Sequence, residues 1–163
     1  MTVTIKLAPA YFRIGVDTPA YEADDLTGTG AKISGGRWNH KGTPLVYASS
    51  SRALACLETF VHLAGTTLPL NRYLVEITVP QSVLAKAIKI NGSDHVGWDA
   101  EPAGAVSLEI GKKWVDSAAS AVALVPSVIV PEEFNLVINP AHPDAAQITA
   151  KKVRKWLYDS RLL

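Results

Sequence analysis

Residues 30–63 read GAKISGGRWNHKGTPLVYASSSRALACLETFVHL, and the rest of the chain is interpreted outward from them. The turn Ser34-Gly35-Gly36 frees the backbone for positive φ and for close approach of a ligand. Arg37 follows at once, so a planar, permanently charged fork stands at the edge of that turn. Leu45-Val46-Tyr47 has the character of a buried strand, and Ser50 or Ser51 suits the N-cap of the next helix. In that helix Leu54, Leu57, Val61 and Ala64 recur at helical spacing and are expected to face the core. Glu58 then falls at the margin of the stripe, with His62 one turn further along the same edge. A carboxylate there is either a half-buried ion-pair partner or a site residue.

Outward from this stretch, the chain alternates short strands with helices. Val3, Ile5 and Leu7 suit an edge strand ending at Pro9, and Asp17 to Gly30 is mainly loop, rich in Asp, Thr and Gly. The glutamate helix is expected to stop at Gly65. Residues 72–79 alternate cleanly and form a strand closed by Pro80, and 81–87 hold one or two helical turns. Residues 91–102 are loop around Trp98, and 103–119 are helix, with Val106, Ile110 and Trp114 along one face. Residues 121–125 and 128–130 are apolar strands interrupted at Pro126-Ser127, and Phe134, Leu136 and Ile138 alternate in another. The tail from Lys151 to Tyr158 is either a last strand or a short helix. The sum is an α+β fold: a single compact domain, residues 1–163, of short mixed strands with a few helices.

Composition narrows the function. The 163 residues are 48% hydrophobic and 19% charged, which excludes bulk disorder, and the formal net charge of +1 gives no field for steering nucleic acid or anionic lipid. Lys151, Lys152, Arg154 and Lys155 form the one basic cluster and read as a solvated face, so no direct nucleic acid is expected. Cys56 is the sole cysteine, no leader pattern opens the chain, and no apolar run reaches spanning length. A cytoplasmic protein without membrane contact is expected. His62 lacks metal-spaced partners, so no metal is expected, and His62, Trp38 and Cys56 are assigned to packing.

The order and spacing of four segments resemble the RES family of bacterial toxins. They are GTGAKISGGRWN at 28–39, KGTPLVYAS at 41–49, ALACLETFVHL at 53–63 and VPSVIVPEEFNLVINPAHP at 125–143. The family's arginine, glutamate and serine fall on Arg37, Glu58 and Ser127. The resemblance implies an ADP-ribosyltransferase-like fold and cleavage of NAD between nicotinamide and ribose. The ADP-ribose then passes to water or phosphate, in a glycohydrolase or phosphorylase, or alternatively to a protein side chain, in a transferase. It also implies an Xre-type helix-turn-helix antitoxin that covers the active site; a homodimer is compatible with the sequence. A non-catalytic or RNA-directed toxin is the alternative of another class.

The residues suit the implied chemistry. Cleavage of the N-glycosidic bond develops positive charge on the ribose carbon, and one carboxylate beneath the ribose, assigned to Glu58, stabilises it. The leaving group departs neutral, so no general acid is required. Arg37 and Arg13 supply cationic donors for a pyrophosphate, and Tyr47 offers a ring to the nicotinamide. Ser127 hydrogen-bonds Glu58 or the ligand, and Asn135, on the face opposite Phe134 and Leu136, lines the site. Each residue also has a plainer reading. Arg37 and Glu58 make a structural ion pair, Arg13 is a surface arginine, Tyr47 is core and Ser127 is a turn hydroxyl. The resemblance departs at Ser34, where many family members carry a larger residue, and this leaves ring stacking to Tyr47 or another aromatic.

Overall fold

The structure is a computed structural model that describes residues 9–63 and 67–162. Among these residues seven strands form one mixed sheet: β1 (Ala10–Val16), β2 (Val46–Ser49), β3 (Arg72–Thr78), β4 (Ile88–Lys89), β5 (Val122–Pro126), β6 (Phe134–Ile138) and β7 (Thr149–Trp156). Four α-helices accompany them: α1 (Thr29–Ser34), α2 (Arg52–Phe60), α3 (Gln81–Leu84) and α4 (Ala105–Ser117). The expected α+β class is the one adopted. The strand expected around Val3 to Leu7, and Ala64 and Gly65, lie outside the described residues.

The strand order is β4-β5-β6-β2-β1-β3-β7, and it divides into two blocks. In one, β1 and β3 run antiparallel from Ala10↔Thr78 to Val16↔Arg72, and β3 continues to β7. In the other, β2 pairs with β6 from Val46↔Ile138 to Ser49↔Asn135, β6 with β5, and β5 in parallel with β4. The blocks meet between β1 and β2 at a single register pair, Phe12↔Ser49. Helix α2 lies over this seam, with Ala55 packed among Phe12, Ile14, Leu74 and Tyr158.

Side chains alternate faces along each strand, so the sheet has two apolar layers. Val46, Ala48, Val75, Ile77, Val122, Leu136 and Ile138 pack on one face. Leu45, Trp38, Trp98, Trp114, Val125 and Val137 pack on the other, with Trp38 and Trp98 stacked at 6.1 Å between ring centroids.

Several local expectations are corrected. Thr29 and Gly30, expected to end a loop, open α1, and residues 128–130 form bends instead of a strand. The tail is a strand. In α2 the buried residues are Leu54 and Ala55, whereas Leu57 and Val61 are exposed. The buried side centres on Leu54 and Ala55; Leu57, about 200° round the helix from Ala55, and Val61, beyond its last turn, fall outside it. His62 is exposed as well, whereas Trp38 is buried and Cys56 packs against the seam cluster. In α4 the inward residues are Ser107, Gly111 and Trp114, with Val106 exposed. Gly111 sets that rotation. A Cβ there would overlap the Trp38 carbonyl oxygen and lie 2.7 Å from its carbon, so the helix reaches the Trp38 backbone only through glycine.

Gly111→Ala is therefore expected to destabilise the fold by about 1–3 kcal/mol or more, as overpacking against backbone does. Urea unfolding followed by tryptophan fluorescence checks this, and an unchanged midpoint would contradict it.

Candidate functional site

Glu58 sits on the seam side of α2, and two side chains from the β5–β6 block converge on one of its oxygens. Ser127 Oγ donates to Glu58 Oε1 at 2.7 Å, and Asn135 Nδ2 donates to the same oxygen at 2.6 Å. Among the described residues Glu58 Oε2 has no hydrogen-bond partner and Glu58 has no salt bridge. The carboxylate is half-buried, held by one oxygen and free at the other. Of the two partners expected for Ser127, Glu58 or a ligand, Glu58 is in contact with it.

The direction of these bonds is set from behind. Ser127 is fully buried where β5 ends, and its Oγ accepts from the N–H groups of Ile129 and Val130, both at 3.1 Å. With both lone pairs engaged, its single proton goes to Glu58. Helix α2 is begun by Ser51, whose side chain accepts from Leu54 N–H at 3.0 Å. Glu58 follows two turns later, which carries it over Ser127 and Asn135.

Tyr47 and Ser49 lie two residues apart on β2, on the same face and one pleat repeat of about 6.5–7 Å from each other. The Tyr47 hydroxyl donates to Asn39 Oδ1 at 2.7 Å and accepts from Trp38 N–H at 3.1 Å. It also lies against Gly36, where a Cβ would come within 2.8 Å of it. Tyr47 thus ties the arginine-bearing turn to the site strand. Burial raises its phenol pKa well above the usual value, against the opposing effects of the Trp38 N–H and the Arg37 charge.

Arg37 does not pair with Glu58, so the ion-pair reading is corrected. Its Nη1 donates to the carbonyls of Trp98 at 3.1 Å and Ala100 at 2.8 Å, and its Nη2 to Glu101 Oε2 at 2.8 Å. The Arg37 side chain is 16% exposed and Glu101 77%, so a surface carboxylate caps a largely buried fork. Three of its five N–H donors are used among the described residues.

Arg13 is not brought to this group. It alternates along β1 with Phe12 and Ile14, which pack toward α2, and so faces the other side of the sheet. Its Nη2 donates to the carbonyls of Ala23 and of Asp25, the latter at 2.9 Å. Burial lowers its pKa, opposed by the nearby Asp25, Asp24 and Tyr21. It is a half-buried tie for residues 23–25, on the sheet face opposite Glu58, and not the surface arginine of its plainer reading. The pattern of the chain did not single out Ser49, Asn39 or Glu101. Strand parity offered the one usable signal, because Ser49 shares it with Tyr47.

Glu58 is thus a carboxylate oriented at one oxygen and without a partner at the other among the described residues, and the Arg37 fork is held separately against Trp98, Ala100 and Glu101. The RES domain matches residues 10–160, and the chain belongs to that family. It is 63% identical over 158 residues to the Prs ADP-ribosylating toxin of Sphingobium sp. (strain YBL2), covering 96% of this chain and 98% of that protein. It is 40% identical over 123 residues to Toxin Res of Yersinia enterocolitica, covering 75% and 79%, and 37% identical over 146 residues to Toxin Res of Photorhabdus laumondii, covering 88% and 91%. The chain is a toxin of the RES family. No helix among the described residues is long and apolar enough to cross a membrane.

Tyr47→Phe removes the acceptor of a backbone N–H and the donor to buried Asn39, and is expected to cost about 1–3 kcal/mol. Because folding raises the Tyr47 pKa, its contribution is complete below the unfolded tyrosine value of about 10 and falls as pH rises past it. Tyr11 and Tyr158 are raised by burial in the same direction. Urea titrations between pH 8 and pH 11 should show stability falling, with a shallower fall in the Phe variant.

Proposed function

We propose that this toxin cleaves the bond between nicotinamide and ribose in NAD and transfers the ADP-ribose to a protein side chain. The observation that carries the reading is the Glu58 carboxylate, fixed at Oε1 by Ser127 and Asn135 and open at Oε2. The bond to nicotinamide breaks with its electron pair leaving on the nicotinamide nitrogen, which departs neutral. Positive charge develops on the ribose carbon, and a nearby anionic oxygen lowers the energy of that state. Glu58 Oε2 has the free lone pairs to accept a ribose hydroxyl and hold the sugar over the carboxylate. The acceptor's nucleophile then bonds to the ribose carbon and releases its proton to solvent.

The relative named for ADP-ribosylation of Prs favours a protein acceptor over water or phosphate, and makes Prs the first acceptor to test. Arg37 supports the reading as the cation for the pyrophosphate. Its ion-pair partner Glu101 is exposed, and such pairs contribute about 0–1 kcal/mol, so a doubly charged pyrophosphate displaces it at little cost. The reading includes an Xre-type helix-turn-helix antitoxin that covers the site and keeps the toxin silent.

Purified toxin is incubated with NAD labelled in the adenylate and with Prs, in buffers with and without phosphate, and nicotinamide release and labelled protein are followed. Glu58→Gln is expected to abolish both, with unfolding unchanged within about 1 kcal/mol. Label on Prs supports transfer; nicotinamide release with free ADP-ribose or its phosphate, and no labelled protein, would replace transfer by hydrolysis or phosphorolysis. Arg37→Ala is expected to raise KM for NAD by about tenfold or more, the loss of a charge-assisted contact worth about 1.5–3 kcal/mol. An unchanged KM would remove Arg37 from the site.

A further inference from the structure

We infer that Ser49 is a positioning residue for Glu58, acting through the Asn135 amide; the inference rests on the function proposed for Glu58. Ser49 ends β2 and is 4% exposed. It is the one residue that carries the seam pair to Phe12 on one side and the pair to Asn135 on the other. Its Oγ donates to Asn135 Oδ1 at 2.8 Å, and Asn135 Nδ2 donates to Glu58 Oε1 at 2.6 Å.

The chain of donors has a direction. A hydroxyl has one proton, and Ser49 gives it to the amide oxygen. The amide is then gripped at the back by its oxygen and presents its NH2 forward to the carboxylate. With Ser49 as an anchor, rotation of the Asn135 side chain costs two hydrogen bonds instead of one. Ser127 has the equivalent arrangement, anchored by the Ile129 and Val130 N–H groups. Both donors to Glu58 Oε1 are therefore preorganised, one by backbone and one by Ser49. Preorganised dipoles need no rearrangement as charge develops on the sugar, and loss of the anchor falls on the chemical step more than on binding.

The test uses the full-length toxin freed of any antitoxin. Ser49→Ala is expected to lower kcat for nicotinamide release by about tenfold, roughly one net hydrogen bond, with KM for NAD within about twofold. Ser49→Thr keeps the hydroxyl and is expected to restore most of kcat. In an Asn135→Ala background, Ser49→Ala should have no further effect on kcat, because the intermediary is gone. Independently of activity, the Asn135 side-chain NH2 resonances in 15N-labelled protein should shift and broaden in Ser49→Ala. If kcat falls in the Asn135→Ala background as well, or if the alanine variant alters neither kcat nor those resonances, the proposal is overturned. A wild-type protein that releases no nicotinamide defeats the reading of Glu58 instead. The Asn135 resonances then decide alone whether Ser49 orients the amide.

Discussion

The Asn39 side chain is the constraint on which the arrangement of the site depends. It is 2% exposed, and its Nδ2 reaches the carbonyls of Ala31, His40 and Thr43 while its Oδ1 accepts from Tyr47. One amide thus joins α1, the turn after it, the entry to β2 and a side chain of β2 itself. Such a buried polar group is costly unless satisfied, and once satisfied it fixes its neighbours to one geometry. Asn39 holds the backbone around Arg37, and the Trp38 ring packed on Trp98 and the Trp38 backbone pressed on Gly111 complete the fixation from α4.

Two polar systems therefore share one face of β2. Tyr47 serves the turn that bears the arginine, and Ser49, one pleat on, serves the carboxylate. Their spacing is set by the strand and not by flexible side chains. Arg37 is held by two backbone carbonyls and an exposed carboxylate, so only its outermost partner is free to exchange. Glu58 is anchored likewise, at the oxygen turned toward the sheet.

Much of this was legible from residue type and parity. The strands at 72–78 and 134–138 follow their alternation, and the N-cap at Ser51 follows its hydroxyl. Glu58 is one of the two partners expected for Ser127, and strand parity puts Asn135 opposite Phe134 and Leu136. The errors have physical causes. Leu57 and Val61 keep helical spacing yet face outward, because the side of α2 that meets the sheet is the one bearing Leu54 and Ala55, and spacing alone does not select between neighbouring sides. Val106 faces outward because Gly111 is the residue of α4 that approaches the Trp38 backbone. The surroundings of Arg13 follow from the pairing of β1 with β2 and β3, which its local sequence does not encode. Bonds that join residues 69, 77 and 86 positions apart leave no mark in local spacing.

The single register pair between the two blocks has a mechanical consequence. A sheet tied by so few main-chain bonds at one joint relies there on the packing of α2 and of the side chains beneath it. Opening that joint and losing the orientation of Glu58 are then one event, because Ser49 belongs to both. Local opening draws on whatever free energy holds the weakest contiguous unit together. Any molecule resting on α2 and the β2 end adds its binding free energy to that unit and raises the cost of separating the blocks. Occupancy of this small surface would accordingly be felt in the amide-exchange protection of strands far from it, in both halves of the sheet at once.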